Sequence, residues 1–208
     1  MRILIADDHA IVRRGLKQIL TEEYPTVYIE EAPDAEVLVA KVTRDDWDIV
    51  ISDLSMPGRS GLDALRQIRQ LKPELPVIIM SIHPEDQYAI RVLKAGAFAF
   101  LGKDCVHDEL VPAIKTILQG RKYITPSIAE KLLEAISRED NQPLFELLSD
   151  REFEVFRLLA GGKSVTEIAG QFALSANTVS TYRSRVLEKM NMKSNAELTR
   201  YAMEKGLL

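Results

Sequence analysis

Two adjacent carboxylates, Asp7 and Asp8, follow the first apolar run of this chain; a third, Asp53, ends a later run, and Lys103 ends another. Carboxylates and an ammonium gathered at one point are the groups phosphoryl chemistry needs, because transfer requires mainly positioning and neutralisation of charge spread over three oxygens. The runs themselves, Ile3 to Ala6, Asp48 to Ser52 and Ala97 to Leu101, are short, apolar and flanked by helix-like segments, so each reads as a strand of a parallel α/β sheet. Ligands in such sheets bind outside the carboxyl ends of the strands, so the four charges are expected to share one shallow pocket. Three neighbouring carboxylates repel one another unless a cation sits among them, and an oxygen-lined site with room for water suits Mg2+. A lone Asp at a strand end is ordinarily a turn former or a helix cap. Here Asp7, Asp8, Asp53, Ser81 and Lys103 together stand at strand ends, and the set argues for function where one member would not.

The elements that must hold this set alternate through the first 120 residues. Strand patterns at 3–6, 27–31, 49–54, 76–80 and 98–101 precede helix patterns at 10–20, 34–43, 61–71, 87–95 and 107–118. Five βα units predict an α/β fold, a doubly wound, flavodoxin-like five-stranded parallel sheet with helices on both faces. After Gly120 the strand signals stop. A helical stretch from Pro126 to Ser137 precedes the polar run Arg138 to Pro143, so residues 121–143 read as a linker with a helix between a domain at 1–120 and another at 144–208.

From Leu148 the pattern is all helical. Ser149 with Glu152, Ser164 with Glu167, and Ser194 with Glu197 have the spacing of capping boxes, and Ser175 caps a helix running to Met190. The connection Phe172-Ala173-Leu174 is short enough to force a sharp turn, which is helix-turn-helix geometry within an all-α four-helix domain. On the helix after that turn, Val179, Tyr182, Val186, Leu187 and Met190 form one apolar stripe, so Asn177, Ser180, Thr181, Ser184, Arg185 and Glu188 must face outward. Small hydroxyls near the helix start with cations further along suit a DNA major groove. The ordinary alternative is a solvated polar face.

Charge agrees with this division. The 208 residues carry a net charge of -4, but residues 1–120 hold 14 basic against 19 acidic side chains, whereas 144–208 hold nine against eight. Within 175–193, Arg183, Arg185, Lys189 and Lys193 face only Glu188, a local balance of +3 that can meet phosphate. No apolar stretch approaches the roughly 20 residues of a membrane span, and the N-terminus lacks signal-peptide features, so a cytoplasmic protein with no membrane partner is expected. The single cysteine, Cys105, excludes an intrachain disulfide and reads as a packing residue. His9, His83 and His107 are not expected as ligands of an oxygen-rich magnesium site, although His9 is near enough in sequence to line the crevice.

Asp7-Asp8, the segment Asp53-Leu-Ser-Met-Pro-Gly, Ser81 and Lys103 resemble the receiver domain of two-component response regulators. The resemblance implies that Asp53 is the phosphoacceptor for a sensor histidine kinase or phosphotransfer protein. It implies that Asp8 binds Mg2+ directly, Asp7 through water, with Asp53 and the Ser55 carbonyl completing the protein ligands, and that Lys103 pairs with the phosphoryl oxygens. Ser81 and Phe100 match the family's switch pair; Phe100 lacks the hydroxyl often found there, so its inward rotation strands no polar group. Asp104 stands where the family often has proline after the lysine, which makes a cis bond there unexpected.

Leu148-Ser-Asp-Arg-Glu, Gly162-Lys-Ser-Val-Thr-Glu-Ile-Ala and Leu174-Ser-Ala-Asn-Thr-Val-Ser-Thr-Tyr resemble the LuxR-type helix-turn-helix of the NarL/FixJ family, with Thr178 to Arg183 and Glu197 to Ala202 similar to its GacA/UvrY-like subgroup. By position, Ser180, Thr181 and Ser184 sit where that family reads bases, while Thr178, Tyr182 and Lys189 face phosphate and Arg185 adds a cation. Ser180 replaces a lysine of many relatives, so their base preference does not transfer. The resemblance implies phosphorylation-controlled binding of double-stranded DNA by a homodimer, with recognition helices about 34 Å apart. Two other readings compete. A Mg2+-dependent phosphohydrolase would use Asp53 as nucleophile, but the second Asp such enzymes carry two residues later is Ser55 here. A constitutive DNA-binding regulator would have lost phosphorylation, against which the intact acidic set argues.

Overall fold

The computed structural model of the chain describes residues 1–82, 85–137 and 143–208; His83 and the stretch 138–142 of the expected linker lie outside the described residues. The chain parts into two compact units, Met1–Ala135 and Ile136–Leu208.

In the first unit β1 (Arg2–Ala6), β2 (Tyr28–Ala32), β3 (Ile49–Asp53), β4 (Val77–Ser81) and β5 (Ala99–Gly102) form one parallel sheet in the order β2-β1-β3-β4-β5. They alternate with α1 (Ala10–Glu23), α2 (Ala35–Arg44), α3 (Gly61–Leu71), α4 (Glu85–Lys94) and α5 (Val106–Leu118), the five βα units the sequence predicts. Every residue of β3 and β4 is buried, which is why these strands read as continuous apolar runs rather than alternating ones. Alternation still divides the side chains between faces. Ile3, Ile5, Ile49, Ile51, Ile78, Met80, Ala99 and Leu101 share one core with Leu16 and Leu20 of α1 and Leu110, Ile114 and Ile117 of α5. Leu4, Val50, Ile79 and Phe100, fully buried as well, face the other way. Strand order reverses about β1, so the crevice of the switch point opens between the carboxyl ends of β1 and β3.

After α5 the chain does not leave this unit at once. The Tyr123 N–H donates to the Phe98 carbonyl at 2.9 Å, Tyr123 packs against the core, and Ile128, in α6 (Pro126–Ser137), is buried. The stretch read as linker thus starts as packed structure, because the Tyr123 side chain is apolar enough to join the sheet core.

In the second unit a 3-10 turn, Leu144–Leu147, precedes α7 (Asp150–Ala160), α8 (Val165–Phe172), α9 (Ala176–Lys189) and α10 (Asn195–Glu204). Complete capping boxes stand at Ser149/Glu152 and Ser164/Glu167, and the Ser175 side chain accepts from the Thr178 N–H. The third expected box is only half made: Ser194 Oγ accepts from the Glu197 N–H at 3.3 Å, but the Glu197 carboxylate takes the Lys193 N–H at 2.9 Å instead of that of Ser194. Between α8 and α9 the chain turns at Ala173, whose φ of 53° lies in the left-handed region that usually favours glycine. The Leu174 N–H then closes the turn on the Ala169 carbonyl at 2.9 Å. Phe153 and Phe156, both fully buried with ring centroids 6.0 Å apart, anchor a core completed by Leu159, Ile168, Val179, Val186 and Leu198.

Candidate functional site

The strands deliver the charged groups to one place. Asp7 directly follows β1, Asp53 is the last residue of β3, Ser81 ends β4, and Lys103 follows β5, its N–H donating to the Ser81 carbonyl at 2.8 Å. The Lys103 ammonium lies 2.7 Å from Asp7 Oδ2 and 3.0 Å from Asp53 Oδ2, bridging the two strand ends. Asp7 is fully buried and Asp53 is 3% exposed. Burial pushes the Asp53 carboxyl up to about 6, against the pull of the Lys103 charge and with the Asp7 charge adding to the rise. Burial works against the Lys103 charge too, but the two carboxylates outweigh it and hold the ammonium pKa above its ordinary value.

The oxygens of this pocket are unequally engaged. Asp7 Oδ2 accepts from Lys103 and Asp7 Oδ1 from the His9 N–H at 2.8 Å. Asp8 Oδ1 is buried and no hydrogen bond engages it; His9 Nδ1 lies 2.7 Å away, an ion pair when the imidazole is protonated. Ligand atoms of Asp7, Asp8 and His9 all lie within 4.8 Å of one another. A buried carboxylate oxygen that no hydrogen bond engages, beside a second carboxylate, fits a hard divalent cation. Asp8 has the vacant oxygen, whereas both oxygens of Asp7 are already bonded.

Several local features hold the pocket open. The segment between β3 and α3 turns through Gly58 at φ +73° and returns so tightly that a Cβ at Gly61 would overlap the Asp53 carbonyl oxygen. Ser55, on that loop, is exposed, and its backbone bonds to the Asp53 carboxylate. Ile79 pairs with Phe100 and Ser81 with Gly102, so buried Ser81 and fully buried Phe100 stand on the same face of the sheet. Among the described residues no peptide bond is cis, in keeping with Asp104 after Lys103.

Sequence reasoning missed Arg13. From one turn into α1 it donates to the Asp7 carbonyl at 2.7 Å and pairs with Glu31 at 2.9 Å, clamping the bend that aims both acids. Its only signal was a cation six residues after Asp7. Cys105 needs correcting: it is exposed, because it heads α5 just after the loop that follows β5, where its N–H donates to the Gly102 carbonyl at 3.2 Å. His107 is exposed, and His9 lines the crevice.

In the second unit α9 presents Asn177, Ser180, Thr181, Ser184, Arg185 and Glu188 to solvent, as the stripe requires. Val179, Val186 and Met190 are buried, but Tyr182 and Leu187 only half so. Tyr182 lies at the edge of the stripe and instead lines a shallow depression of about 320 Å³ with Asn177, Thr178, Thr181 and Arg185. The hydroxyls fold back on the helix: Thr181 Oγ1 donates to the Asn177 carbonyl at 3.0 Å and Ser184 Oγ to that of Ser180 at 3.1 Å. Thr178 Oγ1 lies 2.8 Å from Ser175 Oγ in the helix cap. Lys189 is not a free surface cation, since its ammonium is bonded to Glu152 at 2.6 Å.

A receiver-like sheet whose strand ends gather three carboxylates and a lysine, followed by a helical unit that displays a polar helix after a tight turn, defines a signal-responsive regulator. The comparisons with known proteins agree. A model described as the response regulator receiver domain matches residues 3–115, and one described as bacterial regulatory proteins, luxR family, matches residues 146–202. The response regulator UvrY of Escherichia coli (strain K12) is 34% identical over 208 residues, covering 100% of this chain and 95% of that protein. The response regulator GacA of Pseudomonas viridiflava is 33% identical, covering 100% and 98%, and the oxygen regulatory protein NreC of Staphylococcus carnosus is 34% identical, covering 100% and 99%. Among solved structures, the RcsB response regulator of Salmonella typhimurium superposes with a TM-score of 0.70 at 28% identity, covering 99% of this chain and 98% of that one. RcsB from Salmonella enterica serovar Typhimurium bound to promoter rprA in the presence of phosphomimetic BeF3- gives 0.63 at 28% identity, covering 98% of each. This chain belongs to the two-component response regulators of the NarL/FixJ family, with a receiver domain and a LuxR-type DNA-binding domain. It is a transcription regulator by family rather than a classical enzyme. No helix among the described residues is long and apolar enough to cross a membrane.

Proposed function

We propose that Asp53 accepts a phosphoryl group from a sensor histidine kinase or phosphotransfer protein, and that this drives the C-terminal unit onto specific double-stranded DNA as a homodimer. The observation that carries the reading is the Lys103 ammonium held between Asp7 and Asp53 at the switch point, with a buried Asp8 oxygen that no hydrogen bond engages beside it. An Asp53 oxygen forms the new P–O bond while the P–N bond to the donor imidazole breaks; the imidazole keeps the electron pair and takes up a proton. Although burial raises its pKa to about 6, Asp53 is ionised at neutral pH and able to attack. Lys103 turns from the carboxylates to the charge building on the phosphoryl oxygens. Asp8, Asp53 and the Ser55 carbonyl would hold Mg2+ directly, with Asp7 acting through water, an all-oxygen set that suits the ion. Bound there, Mg2+ supplies Lewis-acid neutralisation of the transferring group. The chain's own chemistry is then at most hydrolysis of its aspartyl phosphate.

The new charge biases an existing equilibrium, with the Ser81 hydroxyl moving to a phosphoryl oxygen and the Phe100 ring taking the vacated space. In the second unit Ser180, Thr181 and Ser184 meet base edges, Thr178 and Tyr182 meet backbone phosphates, and Arg185 supplies the exposed cation. A similar protein bound to a promoter in the presence of a phosphomimetic supports this order of events. A regulator that must reach the chromosome works in the cytoplasm. Recovery of genomic fragments is the test, with and without Mg2+ and beryllofluoride at one stated salt concentration. Selective recovery only with beryllofluoride is expected; equal recovery in both would remove the Asp53 pocket from control of DNA binding.

A further inference from the structure

Four cations lie in the segment 175–193 that carries the recognition helix, and the structure treats them unequally. Lys189 Nζ donates to Glu152 Oε2 at 2.6 Å, and the same oxygen accepts the Ser149 N–H at 2.7 Å to complete the capping box of α7. The Glu152 side chain is 4% exposed and that of Lys189 41%. Burial would push the Glu152 carboxyl up, yet Lys189 and Ser149 hold it below the usual carboxylate range, so a charge persists in a buried place because Lys189 stays with it. On another side of α9, Arg183 Nε donates to Asn195 Oδ1, on the first residue of α10, at 2.8 Å. Arg185 and Lys193 are exposed, and among the described residues no hydrogen bond or ion pair engages either charged group.

We infer that Lys189 and Arg183 are positioning residues that pin the recognition helix to α7 and α10, and that of the four cations only Arg185 and Lys193 contact DNA phosphate. This rests on the DNA-binding reading and deepens it. A Lys189 drawn to a phosphate would abandon Glu152, leaving a buried carboxylate with its capping bond alone, and the loss offsets what the new contact contributes. Arg185 and Lys193 give up only water and counterions. Each phosphate they neutralise releases condensed ions and steepens the fall of affinity with salt, whereas a residue that merely holds the helix changes affinity without changing that slope.

The test uses the full chain with Mg2+ and beryllofluoride and a duplex enriched by that protein from a random-sequence pool, with affinity measured across a salt series. R185A and K193A are each expected to lower the slope of log affinity against log salt by about 0.9. K189M is expected to weaken binding roughly tenfold at every salt concentration with the slope unchanged. E152Q, which removes the charge but can still serve a capping box, weakens binding by a similar factor, and the double variant is no weaker than either single one. The opposite pattern overturns the inference: K189M lowering the slope by about 0.9, and E152Q raising affinity by releasing Lys189 to a phosphate. So does K189M with wild-type affinity and slope. If thermal melts show E152Q unfolded, K189M and R185A leave the cap intact and decide by their slopes. Failure of the protein to enrich any duplex would instead remove the DNA-binding reading, and this inference with it.

Discussion

The receiver pocket and the face of α9 use polar groups in opposite ways. In the pocket Asp7, Asp53 and Lys103 are largely removed from water and answer one another at 2.7 and 3.0 Å, so the charges are felt strongly and the protonation of Asp53 and Lys103 is shifted. On α9, Asn177, Ser180, Thr181, Ser184 and Arg185 stand in solvent, where interactions stay weak until a partner excludes water. Covalent chemistry is served by burial, which makes a nucleophile and its counter-charge interact; recognition of a charged polymer is served by display. The pocket should therefore respond to pH and metal, and the face to salt.

The strongest test of that contrast is D53N, which should reduce labelling by a small phosphodonor to background while leaving the fold intact; persistent labelling would move the acceptor elsewhere. Next comes D8N. Because groups that only orient ligands are worth roughly 10- to 100-fold in metal affinity, loss of the vacant Asp8 oxygen should weaken Mg2+ binding by about 100-fold, read by calorimetry. A loss under about threefold would say that Asp8 is not a ligand. R185A on the open face should leave both measurements unchanged.

The third test uses pH. The Asp53 pKa is raised to about 6 in the folded chain, so the fold keeps this proton where the unfolded chain has lost it. The stability the protonated form provides is present below about pH 4 and lost as pH rises through about 6, leaving the ionised group as a cost. Without divalent ions, D53N should therefore be more stable than the parent by about 2 kcal/mol at pH 7.5 and about equal at pH 4, measured by urea unfolding. An equal difference at both pH values would mean that charge is not the cause. The smallest effect is expected at the turn before α9. Ala173 has a left-handed backbone, so A173G should stabilise the second unit by about 0.5 to 1 kcal/mol without altering phosphoryl labelling.

Much of this was legible in the residues. The continuous apolar runs of β3 and β4 announced strands covered on both faces, and α3 and α6 occupy the expected residues. Serine three residues before glutamate located the starts of α7 and α8, since a cap is a local bond. The same spacing misled at Ser194, where Glu197 found a nearer N–H on Lys193. Arg13 reaching the Asp7 carbonyl left little trace in the pattern, and Cys105 looked like a core residue because side-chain type says nothing of the loop that carries it. Lys189 reads from the pattern as a phosphate contact, and nothing in that pattern shows its bond to Glu152, 37 residues earlier.

Periodicity, caps and the order of charges are local or period-bound properties, so the primary structure determined the two kinds of domain, the helix starts and the members of the acidic set. Which oxygen of that set is left without a donor, how far burial moves the Asp53 carboxyl, and which cations of α9 remain free depend on groups brought together across tens of residues. Those distances are set by packing in three dimensions, and electrostatic energies depend steeply on separation and burial, so only the folded chain could decide them.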